Sequence, residues 1–258
     1  VVLITTKKGR ADKTTVTYSN NTTFSDPMMM PKFQNTYGNM TGEMMSWGLE
    51  TDKRYDPANF FNTGSNVSNA LSLSTGNDKS QSYISVATTN ATGIMPNNDY
   101  DRYNFSFRNT TNFLNNKFIL DTSANYIIQN DKNMVSQGQY FNPLTSLYLF
   151  PRGEDFSDVA VYERYDDLSG VNTQYWPYGD LGGVSSQNPY WIMNRMNREN
   201  DRRRYKLAAS LQYNIIEGLN VQGRVSIDNT ESKYTEKFHA GTVGNFAGPK
   251  GRYKEENR

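Results

Sequence analysis

The strongest constraint on the fold is a series of segments in which polar and apolar side chains alternate. This period of two predicts β-strands. A short strand at 1–6 is followed by seven predicted strands, at 13–24, 67–76, 82–92, 102–113, 117–130, 203–214 and 219–232. The connections between them alternate strictly between long segments (25–66, 93–101, 131–202) and short turns (77–81, 114–116, 215–218). In an antiparallel sheet this order places every short turn at one end and every long connection at the other.

Proline supports the same division of the chain. A strand inside a ladder cannot use a residue that lacks an N–H group. All nine prolines lie in the predicted long connections or in the C-terminal segment 233–258: Pro27, Pro31, Pro57, Pro96, Pro143, Pro151, Pro177, Pro189 and Pro249. Together these features are typical of outer-membrane β-barrels, which have short periplasmic turns and long outer loops.

Composition excludes several other classes of protein. The chain is 36% hydrophobic and 13% aromatic, with a net charge of +1, so we expect it to fold but without a large apolar core. It has no cysteine, which rules out disulfides and cysteine-based metal sites. The near-neutral charge argues against nucleic acid as a partner. No stretch approaches the ~20 apolar residues of a membrane helix.

The two faces of the predicted strands differ in the way that a membrane would require. In the last strand one face carries Leu219, Val221, Gly223, Val225 and Ile227, and the other carries Asn220, Gln222, Arg224, Ser226 and Asp228. A Lys or Arg at the middle of a bilayer costs about 2–4 kcal/mol, and no charge falls in the middle of the apolar faces.

Aromatic residues bracket these apolar faces. Tyr205 and Tyr213 enclose one of them, and Phe118 and Tyr126 enclose another. Eight residues at ~3.3 Å each, tilted by ~40°, rise about 20 Å, which is close to the ~25 Å apolar band between aromatic girdles. We therefore favour a transmembrane antiparallel β-barrel over a soluble sandwich. Long polar side chains on the other face favour a wide lumen, and seven strands are too few to enclose one, so we expect further strands outside this sequence.

Three stretches resemble one protein family. VVLITTKKG (1–9) resembles the end of the plug domain of SusC/RagA-type TonB-linked outer-membrane proteins. The segment 60–113 resembles the first barrel strands of that family, and NPYWIMNR (188–195) with 205–228 resembles a later block of it. The resemblance covers most of the chain and is weakest between 131 and 187.

The resemblance implies a plugged barrel of about 22 strands. Residues 1–10 would be the end of the plug and its linker, with Val1, Val2, Leu3, Ile4, Lys7, Lys8 and Gly9 at the plug–barrel junction. Residues 11–258 would be the first part of the barrel, with long loops at 25–66, 131–202 and 233–258. The family implies import of an oligosaccharide or peptide across the outer membrane of a Gram-negative bacterium of the Bacteroidota. Its partners would be a SusD-like surface lipoprotein and TonB, although the segment that contacts TonB is absent from this sequence.

Aromatic residues of the long connections are the candidate ligand-binding residues, because flat rings stack on sugars and Tyr and Trp keep a polar tip. They are Trp47, Tyr140, Tyr148, Trp176, Tyr178, Tyr190 and Trp191. Packing of these rings against one another, or against a lipoprotein partner, is the stronger interpretation for any single one. Their number gives a slight preference for glycans over peptides.

Metal binding and catalysis find little support in the sequence. The acids Asp155, Asp158, Asp166 and Asp167 do not match a calcium loop, and the methionines near 28–45 are better explained by packing, together with a predicted short helix at 43–50. His239 is the single histidine, and no nucleophile motif accompanies it. We expect no enzyme, no cofactor and no resident metal. Two alternatives stay open: a soluble or surface-attached β-sandwich that binds glycans, and a passive porin without a plug.

Overall fold

The computed structural model describes residues 9, 13–178 and 186–258. Ten strands occur in this part: β1 (Thr15–Ser25), β2 (Gly64–Gly76), β3 (Ser80–Thr92), β4 (Asp99–Phe113), β5 (Phe118–Lys132), β6 (Glu163–Asp166), β7 (Val171–Gln174), β8 (Met196–Ile216), β9 (Leu219–Phe238) and β10 (Arg252–Asn257). The helices are a 3₁₀-helix (Pro57–Phe60), α1 (Pro143–Leu149), α2 (Ser157–Ala160), α3 (Pro189–Arg195) and α4 (Gly244–Ala247). Within these residues, no helix is long and apolar enough to cross a membrane.

Eight of the strands form one antiparallel sheet in the order β1-β2-β3-β4-β5-β8-β9-β10. Strands β6 and β7 form a separate small hairpin within a long connection. In the described part of the chain β1 and β10 are unpaired edges, so the sheet is open and is not a closed barrel. The described residues contain no second large sheet facing it.

The seven predicted strands are confirmed, but the prediction of a loop at 233–258 is wrong. Strand β9 continues to Phe238, and β10 adds an eighth strand to the sheet. These extensions are polar and are held by charge pairs between neighbouring strands, such as Lys237 with Glu199 and Arg252 with Glu236, each at 2.6 Å. A search for apolar alternation misses strands of this kind because neither of their faces is apolar.

One face of the sheet is a continuous apolar surface, here called the apolar face. Cross-strand pairing aligns side chains from seven strands in one row: Val16, Leu73, Ile84, Phe107, Ala124, Leu207 and Ile227. All of these except Leu73 and Ala124 are large apolar side chains that are strongly exposed. Toward the long connections the same face turns polar, where the Asn90 amide donates to the Asp101 carboxylate at 2.6 Å. The sorting of faces predicted from the sequence is present across the sheet.

The opposite face of the sheet, here called the polar face, is crossed by two arginine–carboxylate pairs. Arg108 on β4 lies 2.7 Å from Asp121 on β5, and Arg204 on β8 lies 2.6 Å from Asp228 on β9. Both arginines bind their carboxylate partner through Nε as well as Nη2, the fork geometry that suits a guanidinium. The sheet therefore has one hydrocarbon surface and one charged surface.

The hydrophobic core lies mainly in the long connections, and from the sheet it includes Met196 at the start of β8 and Phe238 at the end of β9. Its buried side chains come from all four long connections: Tyr55 and Phe60 from 26–63, Met95 from 93–98, Leu147, Phe150, Phe156, Val159 and Trp191 from 133–195, and Ala247 from 239–251. We call this cluster the loop core. Because side chains from all four long connections meet in the loop core, these connections lie together at one end of the sheet. The loop core also corrects the expectation that the chain lacks a large apolar core.

The predicted helix at 43–50 is wrong. This segment is irregular, with no helix, and is joined to Tyr37 by an isolated bridge at Glu50. The Gln34 amide accepts from the backbone N–H of Tyr37 and donates to Ser46, and the Asn39 amide donates to Glu43. Side-chain amides thus satisfy backbone groups that would otherwise need a helix.

Candidate functional site

Three short helices of the loop core start in the same way. Asp56, Asn142 and Asn188 each accept a hydrogen bond from the backbone N–H two residues later, and a proline follows each of them at the first helical position. A side-chain oxygen at this place satisfies an N–H that has no partner inside the helix, and proline loses nothing there because its missing N–H would be unpaired. Three of the nine prolines therefore position the loop core.

Asn188 does more than cap α3. It is fully buried, and its Oδ1 accepts from the N–H groups of Tyr190 at 2.8 Å and Trp191 at 3.3 Å. Its Nδ2 donates to the carbonyl oxygens of Val159 and Tyr175, each at 2.8 Å. One amide thus joins α3 to α2 and to the end of β7. The helix α3 also runs directly into β8, since α3 ends at Arg195 and β8 begins at Met196.

Most of the predicted ligand-binding aromatics pack inside this assembly. Trp191 is 0% exposed, and its Nε1 donates to the Thr242 hydroxyl at 3.0 Å, so it leaves the set of surface candidates. Tyr190 packs edge-on against Phe60, with ring centroids 5.0 Å apart. Trp176 and Tyr178 make a T-shaped pair at 5.0 Å. These contacts favour the packing interpretation over direct ligand contact.

The other three candidates lie nearer the surface. Tyr140 packs against Phe246 at 5.1 Å, and Tyr148 packs against Phe33 at 5.9 Å, both of them half-buried. Trp47 is 82% exposed, in the first long connection. The structure brings Trp47 and Tyr148 to one cleft, although 101 residues of sequence separate them.

This cleft is the candidate functional site, and we call it the loop cleft. Its volume is about 340 Å³. It lies between the segment 33–47 and the segment 148–152, and its lining is Phe33, Gln34, Met44, Met45, Ser46, Trp47, Tyr148, Leu149, Phe150 and Arg152. Rings and thioethers dominate this surface, so it can bind apolar side chains or the flat face of a sugar.

Arg152 is the charged group of the loop cleft, and it is only 4% exposed. Its guanidinium lies between the Phe33 ring, 4.4 Å from the centroid, and the Tyr55 ring, at 4.7 Å. Its N–H groups donate to the carbonyl oxygens of Phe150 and Tyr148. Burial lowers the pKa of Arg152, and the neighbouring Tyr55 opposes that shift. The charge is thus held by rings and carbonyl dipoles.

Burial also raises the pKa of two tyrosines beside the cleft. It raises the pKa of Tyr55 well above its usual range, and the Tyr55 hydroxyl donates to the carbonyl oxygen of Leu147 at 2.7 Å. Burial likewise raises the pKa of Tyr178. Both phenols therefore remain protonated hydrogen-bond donors at any physiological pH.

An ion pair fastens the small hairpin to α3. The Arg195 guanidinium donates to both oxygens of Glu163, at 2.6 and 2.7 Å. These hydrogen bonds hold the pKa of the Glu163 carboxyl below its ordinary value of 4.5. His239, beside the pair, donates its backbone N–H to the Arg195 carbonyl oxygen at 3.0 Å.

The loop acids serve as local turn acceptors. Asp155 accepts from the backbone N–H and the hydroxyl of Ser157, and Asp166 accepts from the N–H groups of Leu168 and Ser169. Across the described ranges, no three acids or histidines are grouped in a way that could hold a metal ion. Met44 is buried beside Ser186, whereas Met28, Met29, Met40 and Met45 are exposed.

Sequence reasoning missed Arg152 and Asn188. An Asn-Pro pair before an apolar run is a recognisable signal for a helix start, and it was available at 188–189. Nothing local marks Arg152, because its ring partners come from a different connection. Of the junction residues, Val1, Val2, Leu3, Ile4, Lys7 and Lys8 lie outside the described residues. Gly9 is described, and it lies so close to β3 that a Cβ there would come within 2.5 Å of the Ser82 nitrogen.

Comparison with known proteins gives matches in structure alone. No family model and no curated protein matches the chain. Two solved structures of the RagAB peptide importer are similar to it, in the closed-closed state with a TM-score of 0.64 and in the open-open state with 0.62. Each is 14% identical in sequence over 98% of this chain. The chain spans about a third of those chains, 32% and 31%, and at this identity the likeness shows the fold.

Proposed function

We propose that this chain is part of the wall and outer mouth of a TonB-dependent importer of the SusC/RagA type in the outer membrane of a Gram-negative bacterium. The observation that carries the proposal is the sheet itself. It has an apolar face, a charged face, short turns at one end and a loop core at the other, and its fold is similar to about a third of a chain in the RagAB peptide importer.

In this proposal lipid covers the apolar face and the polar face lines the lumen. Further strands, outside this sequence, would pair with β1 and β10 and complete a barrel of about 22 strands, the size that leaves room for a plug. Residues 1–10 would lead out of the plug, in keeping with the close approach of Gly9 to β3. We also propose that this bacterium belongs to the Bacteroidota, as the resemblance to the SusC/RagA family implies.

The loop core would form the outer rim of the barrel. A SusD-like lipoprotein would cap it, and TonB would act on the plug from the periplasmic side. The RagAB structures are of a peptide importer, so we propose peptides as the cargo of this protein beside oligosaccharides. The preference for glycans weakens, because Trp47 alone among the seven candidate aromatics is largely exposed. We assign no catalytic step to this chain.

The first test is the location and behaviour of the full-length protein. We expect it to fractionate with the outer membrane, to need detergent for extraction, and to migrate faster on a gel before heating than after. A protein that stays in solution without detergent would refute the barrel. A full-length protein with no plug ahead of Val1 would favour the porin instead.

A second test addresses the loop cleft. Replacing Trp47 by Ala removes its most exposed ring, and we expect uptake of the cargo to fall about tenfold at limiting concentration, since buried aromatic anchors dominate binding energy. The control is Leu168→Ala, which removes a 99% exposed apolar side chain from the turn between β6 and β7. Equal uptake by both variants would exclude the cleft from cargo binding.

A further inference from the structure

The polar face carries an uneven distribution of charge. Between the short turns and the cross-strand row that contains Arg102 and Arg202, it presents seven cations: Arg102, Arg108, Arg202, Arg204, Lys206, Arg224 and Arg258. Only two carboxylates, Asp121 and Asp228, face the same way over these levels. Both are engaged by an arginine, Asp121 by Arg108 and Asp228 by Arg204. Within these rows the cations outnumber the carboxylates. The next row toward the loops adds two carboxylates to the same face, Asp131 on β5 and Glu256 on β10.

Four of the cations form one patch at the end of this face nearer the loops. Arg202, Arg204 and Lys206 follow each other at every second position of β8, and Arg102 lies in the row of Arg202, across β5. The three on β8 are exposed. Arg202 donates to the Ser232 hydroxyl at 3.3 Å and Arg102 to the Asn104 amide oxygen at 3.1 Å, so both keep donors for another partner. We call these four residues the cationic patch.

The spacing of the cationic patch fits an extended peptide. Alternate residues of a strand are about 6.6 Å apart, which is the separation of Arg202, Arg204 and Lys206 along β8. An extended peptide that runs along β8 presents its alternate side chains with the same repeat. Carboxylates spaced four residues apart would thus face Arg202 and Lys206 in register, with Arg204, already held by Asp228, between them. Guanidinium–carboxylate hydrogen bonds are among the strongest in proteins.

The rows of the cationic patch itself favour a charged ligand over a neutral glycan. Sugar binding uses aromatic rings as stacking surfaces. On these strands the rings of Tyr103, Phe105, Tyr126 and Tyr205 belong to the apolar face. The inward neighbours of the patch are Asn104, Asn125, Ile127 and Gln129. Within its own rows the patch therefore offers charge and amides, and the rings of Tyr100 and Tyr234 join the polar face one row nearer the loops.

We propose that the cationic patch binds acidic peptides as they enter the lumen, and so gives the importer a preference for carboxylate-rich peptide cargo. This inference rests on the proposed function, in which the polar face lines the lumen. The main competing occupant is an acidic surface of the plug, which would use the same charges for a structural purpose.

The test uses the full-length importer in detergent or nanodiscs and a pair of labelled peptides that differ only in charge. One peptide has Glu at every second position, and the other has Gln at those positions. We expect the Glu peptide to bind about tenfold more tightly in low salt, and this advantage to shrink as salt screens the charges. The double variant Arg202→Gln, Lys206→Gln should abolish the advantage and leave the affinity for the Gln peptide unchanged.

A matched control removes the same charge from the other face of the same strands. Arg203 lies between Arg202 and Arg204 but points to the apolar side, and Lys233 on β9 shares that side. The double variant Arg203→Gln, Lys233→Gln should keep the full preference for the Glu peptide. A change of net charge alone would affect both double variants equally, and this result would overturn the proposal.

Three other results would also overturn it. Equal binding of the two peptides by the unaltered importer would show that the patch does not select charge. Equal weakening of both peptides by Arg202→Gln, Lys206→Gln would indicate that the patch holds the plug. Tighter binding of oligogalacturonate than of the Glu peptide would indicate acidic glycans. If none of the ligands binds, peptide import fails along with this inference, while outer-membrane location is decided separately by fractionation.

Discussion

At the scale of single residues, the loop core depends on polar side chains that no hydrophobic pattern reveals. Asn188 makes four hydrogen bonds while fully buried, and Arg152 keeps a charge between two rings. Burying such groups is costly unless every donor and acceptor finds a partner. Each therefore specifies one arrangement of the connections around it, and its loss leaves several partners unsatisfied at once.

Replacing Asn188 by Ala should open the loop core locally. The change removes the cap of α3, worth about 1 kcal/mol, and leaves the carbonyl oxygens of Val159 and Tyr175 without this donor, at about 1–3 kcal/mol each. We expect amide hydrogen exchange in 157–160 and 189–195 to accelerate by at least tenfold. Asn194→Ala is the control, because in the described structure the Asn194 side chain makes one hydrogen bond, to the Tyr190 carbonyl oxygen. Equal protection in the two variants would contradict the role given to Asn188.

Gly9 gives a second prediction for a single position. A Cβ at this residue would lie 2.5 Å from the nitrogen and 2.7 Å from the oxygen of Ser82, which are backbone atoms of β3 and cannot turn aside. We expect Gly9→Ala to displace the segment from β3 and to raise hydrogen exchange at Gln81 and Ser82. Gly223→Ala is the matched control, since a Cβ there meets nothing within 4 Å. If the two variants have the same exchange at β3, the close contact of Gly9 is refuted.

At the scale of elements, the sequence predicted the strands best where they border an apolar surface. A period of two requires only that one face avoid water, so all seven such strands were identified. The ends of β8 and β9 and all of β10 were missed, because charge pairs such as Lys237 with Glu199 stabilise them. The short helices were missed because their apolar residues pack in several directions.

Two neighbouring alanines on β8 test which face meets lipid. Ala208 pairs with Ser226 on the polar face, and Ala209 pairs with Val225 on the apolar face. A charge at mid-bilayer costs about 2–4 kcal/mol on the lipid side. We therefore expect Ala209→Arg to lower the yield of folded, heat-modifiable protein in the outer membrane strongly, and Ala208→Arg to lower it little. The reverse order would mean that the faces have been assigned the wrong way round.

The Glu163–Arg195 pair makes the attachment of the hairpin to α3 sensitive to acid. Because the folded state lowers the pKa of Glu163, the stabilisation is complete above its ordinary value of 4.5 and is lost as the pH falls through the lower, folded value. We expect the β6–β7 hairpin to be cleaved more slowly by protease in the wild type than in Glu163→Gln at pH 7. The difference should shrink as the pH falls below 4.5 and through the lowered pKa of Glu163. A gap between the two proteins that stays constant with pH would rule out this ion pair as the cause.

At the scale of the whole molecule, the sequence predicted the order of long and short connections and the two faces of the sheet. It could not predict that the four long connections meet in one core, since contacts such as Tyr55 with Phe150 and Phe156 join distant segments. For the same reason the sequence predicted only part of the loop cleft. Trp47 and Tyr148 were candidate residues, but no local pattern connects them with Arg152. The sequence shows each charged residue of the polar face. Which of them share that face, and therefore the balance of their charges, follows only from the pairing register of the strands.

The direct passage from α3 into β8 has a mechanical consequence. A segment that moves as a flap needs a flexible linker at its base. No linker separates α3 from β8, because Arg195 is the last residue of the helix and Met196 is the first residue of a 21-residue strand. Pulling α3 outward would have to unzip β8 from β5 and β9, one hydrogen bond after another. The rim would then behave as a fixed collar that shares the stiffness of the wall, and the moving parts of such a gate would have to be sought above it or inside it.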